Sequence, residues 1–381
     1  MKKILLTISK LLTVVVVSAG IAACGDSSDE KKDNSFAAVD ETPSGNTSLI
    51  SASDNGYYVL CEGTYPQYNA SLDFINSDNL TEYTNAFSTI NGMGIGGTAN
   101  DMIQVGEYIF VAVTDDAMVR VLNAKDMTVY KRFSLLNNSG VNREPRHLVY
   151  YQGDVYVTCF DGNVVRINVN QMKITGVLPT QGANPEGIAE CNGRLYVANS
   201  GGKSYPNYDK TVSVIDPVSF SVEKIITVED NPQIVKAYNG KVYTVSTGDY
   251  TSDYRLTVIE GTQKVDSLDI NMTDFDFCGG YLYYVYKPWG SGNAVLNKIN
   301  LNDLHSQPQS FASAPDNLAT PYRIQILPTK FGDSSIFVFD TKNAVVSGQV
   351  FEFVLNGQLF RTFNTSVGPN KILIKTGVKA I

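Results

Sequence analysis

The sequence predicts an all-β chain, a seven-bladed β-propeller closed by strands from both ends of the repeat region. Three observations carry this prediction: a strand motif that returns seven times, a four-strand grammar around each copy, and complementary ends. The clearest copy is Gly193-Arg194-Leu195-Tyr196-Val197-Ala198. It returns as Gly153-Asp154-Val155-Tyr156-Val157-Thr158, Gly240-Lys241-Val242-Tyr243-Thr244-Val245 and Gly280-Tyr281-Leu282-Tyr283-Tyr284-Val285. Looser copies begin at Gly56, Gly106 and Ser335. The aromatic or aliphatic anchors fall at 58, 109, 156, 196, 243, 283 and 337, with successive gaps of 51, 47, 40, 47, 40 and 54 residues. A period of roughly 40–50 residues suits one propeller blade.

Each unit repeats an internal order. A turn such as Asn184-Pro185-Glu186 leads into a short apolar strand, and a Gly turn opens the motif strand. A third strand follows, Thr211 to Ile215, and then a fourth, Val222 to Val228. Equivalent lead-ins occur at Glu144-Pro145, Asn231-Pro232, Thr320-Pro321 and Gly368-Pro369. Short alternating runs bounded by Gly, Pro and Asn read as antiparallel strands, four per unit. The segment from Gly368 to Ile374 is a first strand lacking its other three, whereas Gly56 to Ala86 supplies those three without a first. Together they complete one blade, and closing the ring removes exposed sheet edges.

Composition fits this reading. Of 381 residues, 43% are hydrophobic and 18% charged, which argues for a folded chain over most of its length. Tyrosine is abundant at 22 against one tryptophan, favouring strands whose rings sit half in a core and half in water. The net charge is −8, and without the three lysines of residues 1–23 it becomes −11, with 27 basic residues against 38 acidic. Such a field repels nucleic acid, so none is expected as a partner.

Three segments are expected: residues 1–23 as a lipoprotein signal peptide, 24–55 as a flexible acidic tether, and 56–381 as the propeller. Lys2 and Lys3 precede an apolar run that is too short and interrupted to span a bilayer comfortably. Ile21-Ala22-Ala23-Cys24 resembles a bacterial lipobox, so Cys24 is the expected lipidation site and the membrane contact is a lipid anchor. The polar stretch from Gly25 to about Asn55 buries too little surface to offset its chain entropy. Its acidic start resembles the surface-export signal of Bacteroidetes lipoproteins, which implies an outer-membrane protein facing outwards. Cys61, Cys159, Cys191 and Cys278 show no CxxC spacing and lie in apolar stretches, so they read as unpaired, buried thiols.

The strand Gly193 to Asn199, the strand Val212 to Pro217 and the Pro-led turns resemble the YncE/YVTN family of seven-bladed propellers. The resemblance covers residues 56–376 and is sharpest between 143 and 270. With the lipobox and acidic tether, the chain is similar to the BtuG-type Bacteroides surface lipoproteins. That likeness implies a non-enzymatic protein that captures cobalamin or another corrinoid and passes it to a TonB-dependent outer-membrane transporter. Cobalamin is then the ligand, and no resident cofactor is expected. A propeller motif is specific for fold only. A carbohydrate- or cell-wall-binding propeller, a metal-dependent lactonase-like enzyme and a pure interaction module stay open as alternatives.

Candidate ligand contacts come from loops that share one face with the strand lead-ins. Tyr65 and Tyr68, Tyr205 and Tyr208, Tyr250 and Tyr254, and Trp289 lie in long aromatic loops between second and third strands. Such rings offer flat area at low rotamer cost and polar tips for amides or hydroxyls. At the channel mouth, the residues expected to face the axis are Asp101, Arg146, Glu186, Gln233, Thr273, Tyr322 and Asn370; of these, Arg146, Glu186 and Tyr322 join the candidate set. This mixed ring lacks the several carboxylates a calcium or zinc lactonase gathers, and Glu186 and Asp101 read as solvated or paired with Arg146. His147 follows Arg146 and, by strand alternation, is expected to face away from the axis. No Ser/His/Asp set, Cys/His pair or P-loop is evident, and no metal site is expected.

Overall fold

The computed structural model describes residues 37–249, 254–288, 292–329 and 333–377. The chain divides into two units, Met1–Ser35 and Phe36–Ile381. The signal peptide and Cys24 lie outside the described residues.

Among the described residues the second unit is a seven-bladed propeller of antiparallel sheets. Blade 1 joins Pro369–Lys375 to Gly56–Cys61, Ser71–Asn76 and Glu82–Tyr83. Blade 2 runs from Ala99 to Ser134, blade 3 from Pro145 to Pro179, and blade 4 from Pro185 to Thr227. Blade 5 runs from Pro232 to Asp269, blade 6 from Asp274 to Ser310, and blade 7 from Pro321 to Val367. The inner strands of neighbouring blades contact one another around the whole ring, including blade 7 to blade 1 and blade 1 to blade 2. The closure at the ends has the expected register, Gly56 opposite Lys375 and Leu60 opposite Lys371.

The motif strand is the second strand of every blade. It is apolar without alternation because both faces are covered by neighbouring blades. All seven anchors, Tyr58, Ile109, Tyr156, Tyr196, Tyr243, Tyr283 and Phe337, are buried. Each ring withdrawn from water contributes about 1.5–3 kcal/mol. Outer strands such as Ser221–Thr227 are largely exposed, with Ile226 alone buried in that strand. In blades 2 to 6 a glycine before the motif strand serves the hairpin: Asn239 and Gly240, at φ 49° and 78°, form a two-residue turn with both central residues left-handed. Cys61, Cys159 and Cys191 are buried and Cys278 half-buried, all unpaired.

The boundary between tether and wheel differs from expectation. Val39–Asp40 adds a fifth strand to blade 2, pairing with Arg132 and Lys131 of the outer strand. Glu41 meets the Arg120 guanidinium at 3.0 Å, and Ile50 packs into the core beside Phe87 and Ile90. Residues 37–55 therefore belong to the propeller and not to the tether. The Val39–Asp40 strand, Glu41, Ile50 and a Ser44 bond to the Asn91 carbonyl anchor a segment whose composition otherwise reads as polar linker.

Candidate functional site

The inner strands enclose a central channel of about 710 Å³. All seven residues expected at its mouth line it: Asp101, Arg146, Glu186, Gln233, Thr273, Tyr322 and Asn370. So do His147, Lys236, Asp274, Asp276, Arg323 and Lys371. The expectation that His147 faces away is corrected here. Six of the seven inner strands shift register near their start, as where Pro145 faces Cys159 but Leu148 faces Val157. This bulge breaks the simple alternation and turns two successive side chains to one side. Pro145-Arg146-His147, Pro321-Tyr322-Arg323 and Pro369-Asn370-Lys371 share the pattern, so a Pro followed by two polar residues at the lead-in was the available signal.

The channel wall is held by contacts that cross blade boundaries. Lys371 of blade 1 meets Asp101 of blade 2 at 2.5 Å, and the other Asp101 oxygen accepts the Leu148 N–H of blade 3 at 2.8 Å. Arg146 grips Glu186 of blade 4 with Nε and Nη2 at 2.9 and 3.0 Å. Thr158 donates to the Glu186 carbonyl at 2.6 Å. Between blades 4 and 5 backbones meet directly: a Cβ on Gly187 would lie 2.6 Å from the Gln233 carbonyl. Lys236 pairs with Asp274 at 3.0 Å, and Asp274 and Asp276 accept the Ile324 and Ile326 N–H groups of blade 7 at 3.0 and 2.7 Å. Gln325 closes the circle by a reciprocal pair with the backbone of Ile372.

Asp101 thus pairs with Lys371 and lies 3.6 Å from His147, and not with Arg146 as expected. Burial pushes its carboxyl up, but Lys371 and His147 outweigh burial and hold it well below the usual carboxylate range. Burial disfavours the Arg146 charge, yet Glu186 keeps the guanidinium above its ordinary value. Asp276 is raised, because burial exceeds the pull of Lys236. Tyr322 is also raised by burial; its hydroxyl meets Glu62 at 3.2 Å and accepts from Arg323 at 3.2 Å. Among the described residues, no three His, Cys, Asp or Glu side chains gather as a metal site.

The rim is different. Tyr65 and Tyr68 stand on the blade 1 loop and Tyr205 and Tyr208 on the blade 4 loop, on the same face but three blades apart in one direction and four in the other. Both loops carry the same four-residue motif, Tyr65-Pro66-Gln67-Tyr68 and Tyr205-Pro206-Asn207-Tyr208. Tyr65, Tyr68 and Tyr205 are 75%, 62% and 74% exposed. Tyr205 and Tyr208 meet edge to face at 6.0 Å beside a groove of about 430 Å³ that also includes Glu229, Asp230, Asp249, Arg255 and Asp269. Tyr254 lies on the channel wall with its ring 6.2 Å from Tyr286. Tyr250 and Trp289 lie outside the described residues. The aromatic set is therefore two separate clips flanking a polar mouth, with Tyr254 and Tyr322 further in.

Residues 55–291 match the family described as a domain of unknown function, DUF5074. The chain belongs to this family. No curated protein matches the sequence. The DUF5074 propeller is similar to a solved quinonprotein alcohol dehydrogenase-like protein from Bacteroides thetaiotaomicron. The two share 14% identity and a TM-score of 0.60, over 86% of this chain and 79% of that one. It is also similar to hydrazine synthase of Kuenenia stuttgartiensis, at 14% identity and a TM-score of 0.52 over 66% of this chain and 74% of that one. At such identities the likeness concerns the DUF5074 fold alone.

Proposed function

We propose that this propeller is a non-enzymatic capture protein for a corrinoid such as cobalamin. It is held at the outer membrane by lipid on Cys24, faces outwards, and delivers its ligand to a TonB-dependent transporter. The observation that carries the reading is the duplicated Tyr-Pro-x-Tyr clip on opposite sides of one polar mouth. A corrin ring is a broad apolar disc edged with amides. Two tyrosine clips can grip its edges while their hydroxyls meet the amides. Arg146, Glu186 and Tyr322, already engaged in the wall, would present fixed polar groups beneath it. Sequence likeness to BtuG-type lipoproteins supports the ligand class.

Calorimetric titration of the full chain with cyanocobalamin tests the idea. Saturable heat and a rise in melting temperature are expected; neither appearing at high ligand concentration would end it. A second reading rests on the groove beside Tyr205 and Tyr208, where carboxylates flank exposed rings in the manner of a sugar site. Glycan-array binding without corrinoid binding would select it.

A further inference from the structure

The two clips share a motif but not their surroundings. Tyr205 and Tyr208 of blade 4 line their groove together with Glu229, Asp230, Asp249 and Asp269. Among the described residues the one cation on its wall is Arg255, engaged by Asp269 at 2.5 Å and 3.9 Å from Glu229. Lys203 of the clip loop turns away to pair with Glu144 of blade 3. Asp230 is exposed and has no ion pair among the described residues. This clip therefore opens on four carboxylates against one guanidinium.

The clip of blade 1 stands in apolar company. The Thr64 hydroxyl donates to the Ala344 carbonyl, joining the clip loop to the loop of blade 7 between Ser334–Asp340 and Ser347–Val354. On that second loop Val345 and Val346 are 64% and 48% exposed. No residue in 63–70 or 343–347 is charged. An exposed apolar patch built from two joined loops is a surface for contact.

Charge makes the two ends read a ligand differently. An ionised carboxylate accepts hydrogen bonds and donates none, so the blade 4 groove favours N–H groups and repels another carboxylate. Repelling the wrong edge gives selectivity as surely as attracting the right one. The joined loops of blades 1 and 7 suit methyl groups instead.

Resting on the corrinoid reading, we propose that the clips select fully amidated corrinoids. The carboxamide edge lies in the blade 4 groove, donating to Asp230 and Glu229, and a methyl-bearing edge lies on Tyr65, Tyr68, Val345 and Val346. A corrinoid whose side chains end in carboxylates is turned away at the groove. Salt screens exposed charges, so the discrimination is largest at low ionic strength.

Dicyanocobyrinic acid, with a carboxylate on every side chain, and its heptaamide are the two probes. Calorimetric titration of the full chain at low salt should show the heptaamide binding at least tenfold tighter. Two reversals that change net charge equally separate the groove from the charge of the whole protein. Asp230→Lys acts in the groove, whereas Asp303→Lys lies on the exposed turn between the third and fourth strands of blade 6, on the opposite face. Asp230→Lys should narrow the gap at least threefold by tightening cobyrinate binding, and Asp230→Asn should narrow it less. Asp303→Lys should leave the gap unchanged. Circular dichroism melts show that each variant is folded. Equal affinity for the two probes, a gap untouched by either Asp230 variant, or equal narrowing by Asp303→Lys would overturn the selectivity while corrinoid capture stands. Binding of neither probe would end both.

Discussion

In the channel wall, Arg146 meets Glu186 at 2.9 Å and Asp101 is shared between Lys371 and a backbone N–H of blade 3. On the rim, Tyr65 and Tyr205 hold about three quarters of their surface in water. Both regions come from the same repeat. In the wall, charged groups are removed from water and tolerated because most of them find a partner on a neighbouring blade. On the rim, large rings are left unburied and fold stability does not explain them. The contrast separates residues that hold the wheel together from residues available to a ligand.

The hardest blow to the wall is to remove its seam. Deleting residues 369–381 takes away the inner strand of blade 1 and exposes the edge formed by Gly56–Cys61. Loss of cooperative unfolding and formation of aggregates are expected by circular dichroism and size exclusion; a sharp monomeric melt would show that closure is dispensable. Next in size is Arg146→Ala, which strands Glu186 in a mostly buried position. A cost of about 3 kcal/mol is expected by urea denaturation, and the double change with Glu186→Ala should recover part of it.

A subtler probe uses acid. Asp101 has a folded-state carboxyl below its ordinary value near 3.9, so its stabilisation is complete above about pH 4 and is lost as pH falls below that value. Lys371→Met removes the chief lowering influence and leaves burial to push the carboxyl up. Urea midpoints of the variant should then be lower at pH 6 and should fall less than the parent's, or rise, between pH 5 and 3; superimposable profiles would contradict the pairing. The mildest effect on stability belongs to the rim. Tyr205→Ala with Tyr208→Ala should change unfolding free energy by less than about 0.5 kcal/mol. The same pair should weaken cyanocobalamin binding at least tenfold by calorimetry.

Legibility in the sequence follows the same division. The anchors of the motif strands could be read because burial on both faces forces a continuous apolar run, seven times over. The seam could be read because a lone first strand at Pro369–Lys375 complements a unit lacking one. His147, Arg323 and Lys371 were harder, because their direction depends on a bulge that alternation rules ignore. Glu41 and Ile50 were invisible for another reason: in a polar segment, only the partner across space, Arg120 or Phe87, shows that a residue is held. The Tyr-Pro-x-Tyr duplication was in plain view but lies outside the strand period that draws attention first.

The seam also brings the two ends of the ring side by side. The Gly377 N–H reaches the Asn55 side chain at 2.9 Å, and Lys375 reaches the Asp54 carbonyl at 2.7 Å. A short peptide could therefore fuse 377 to 55 and new termini could be opened at the exposed turn around Gly140, giving a circular permutant in which the four strands of every blade are contiguous, though it would lack the Val39–Asp40 strand and Ile50. Which blade carries the join would then be a matter of gene order, while the ring itself stayed the same.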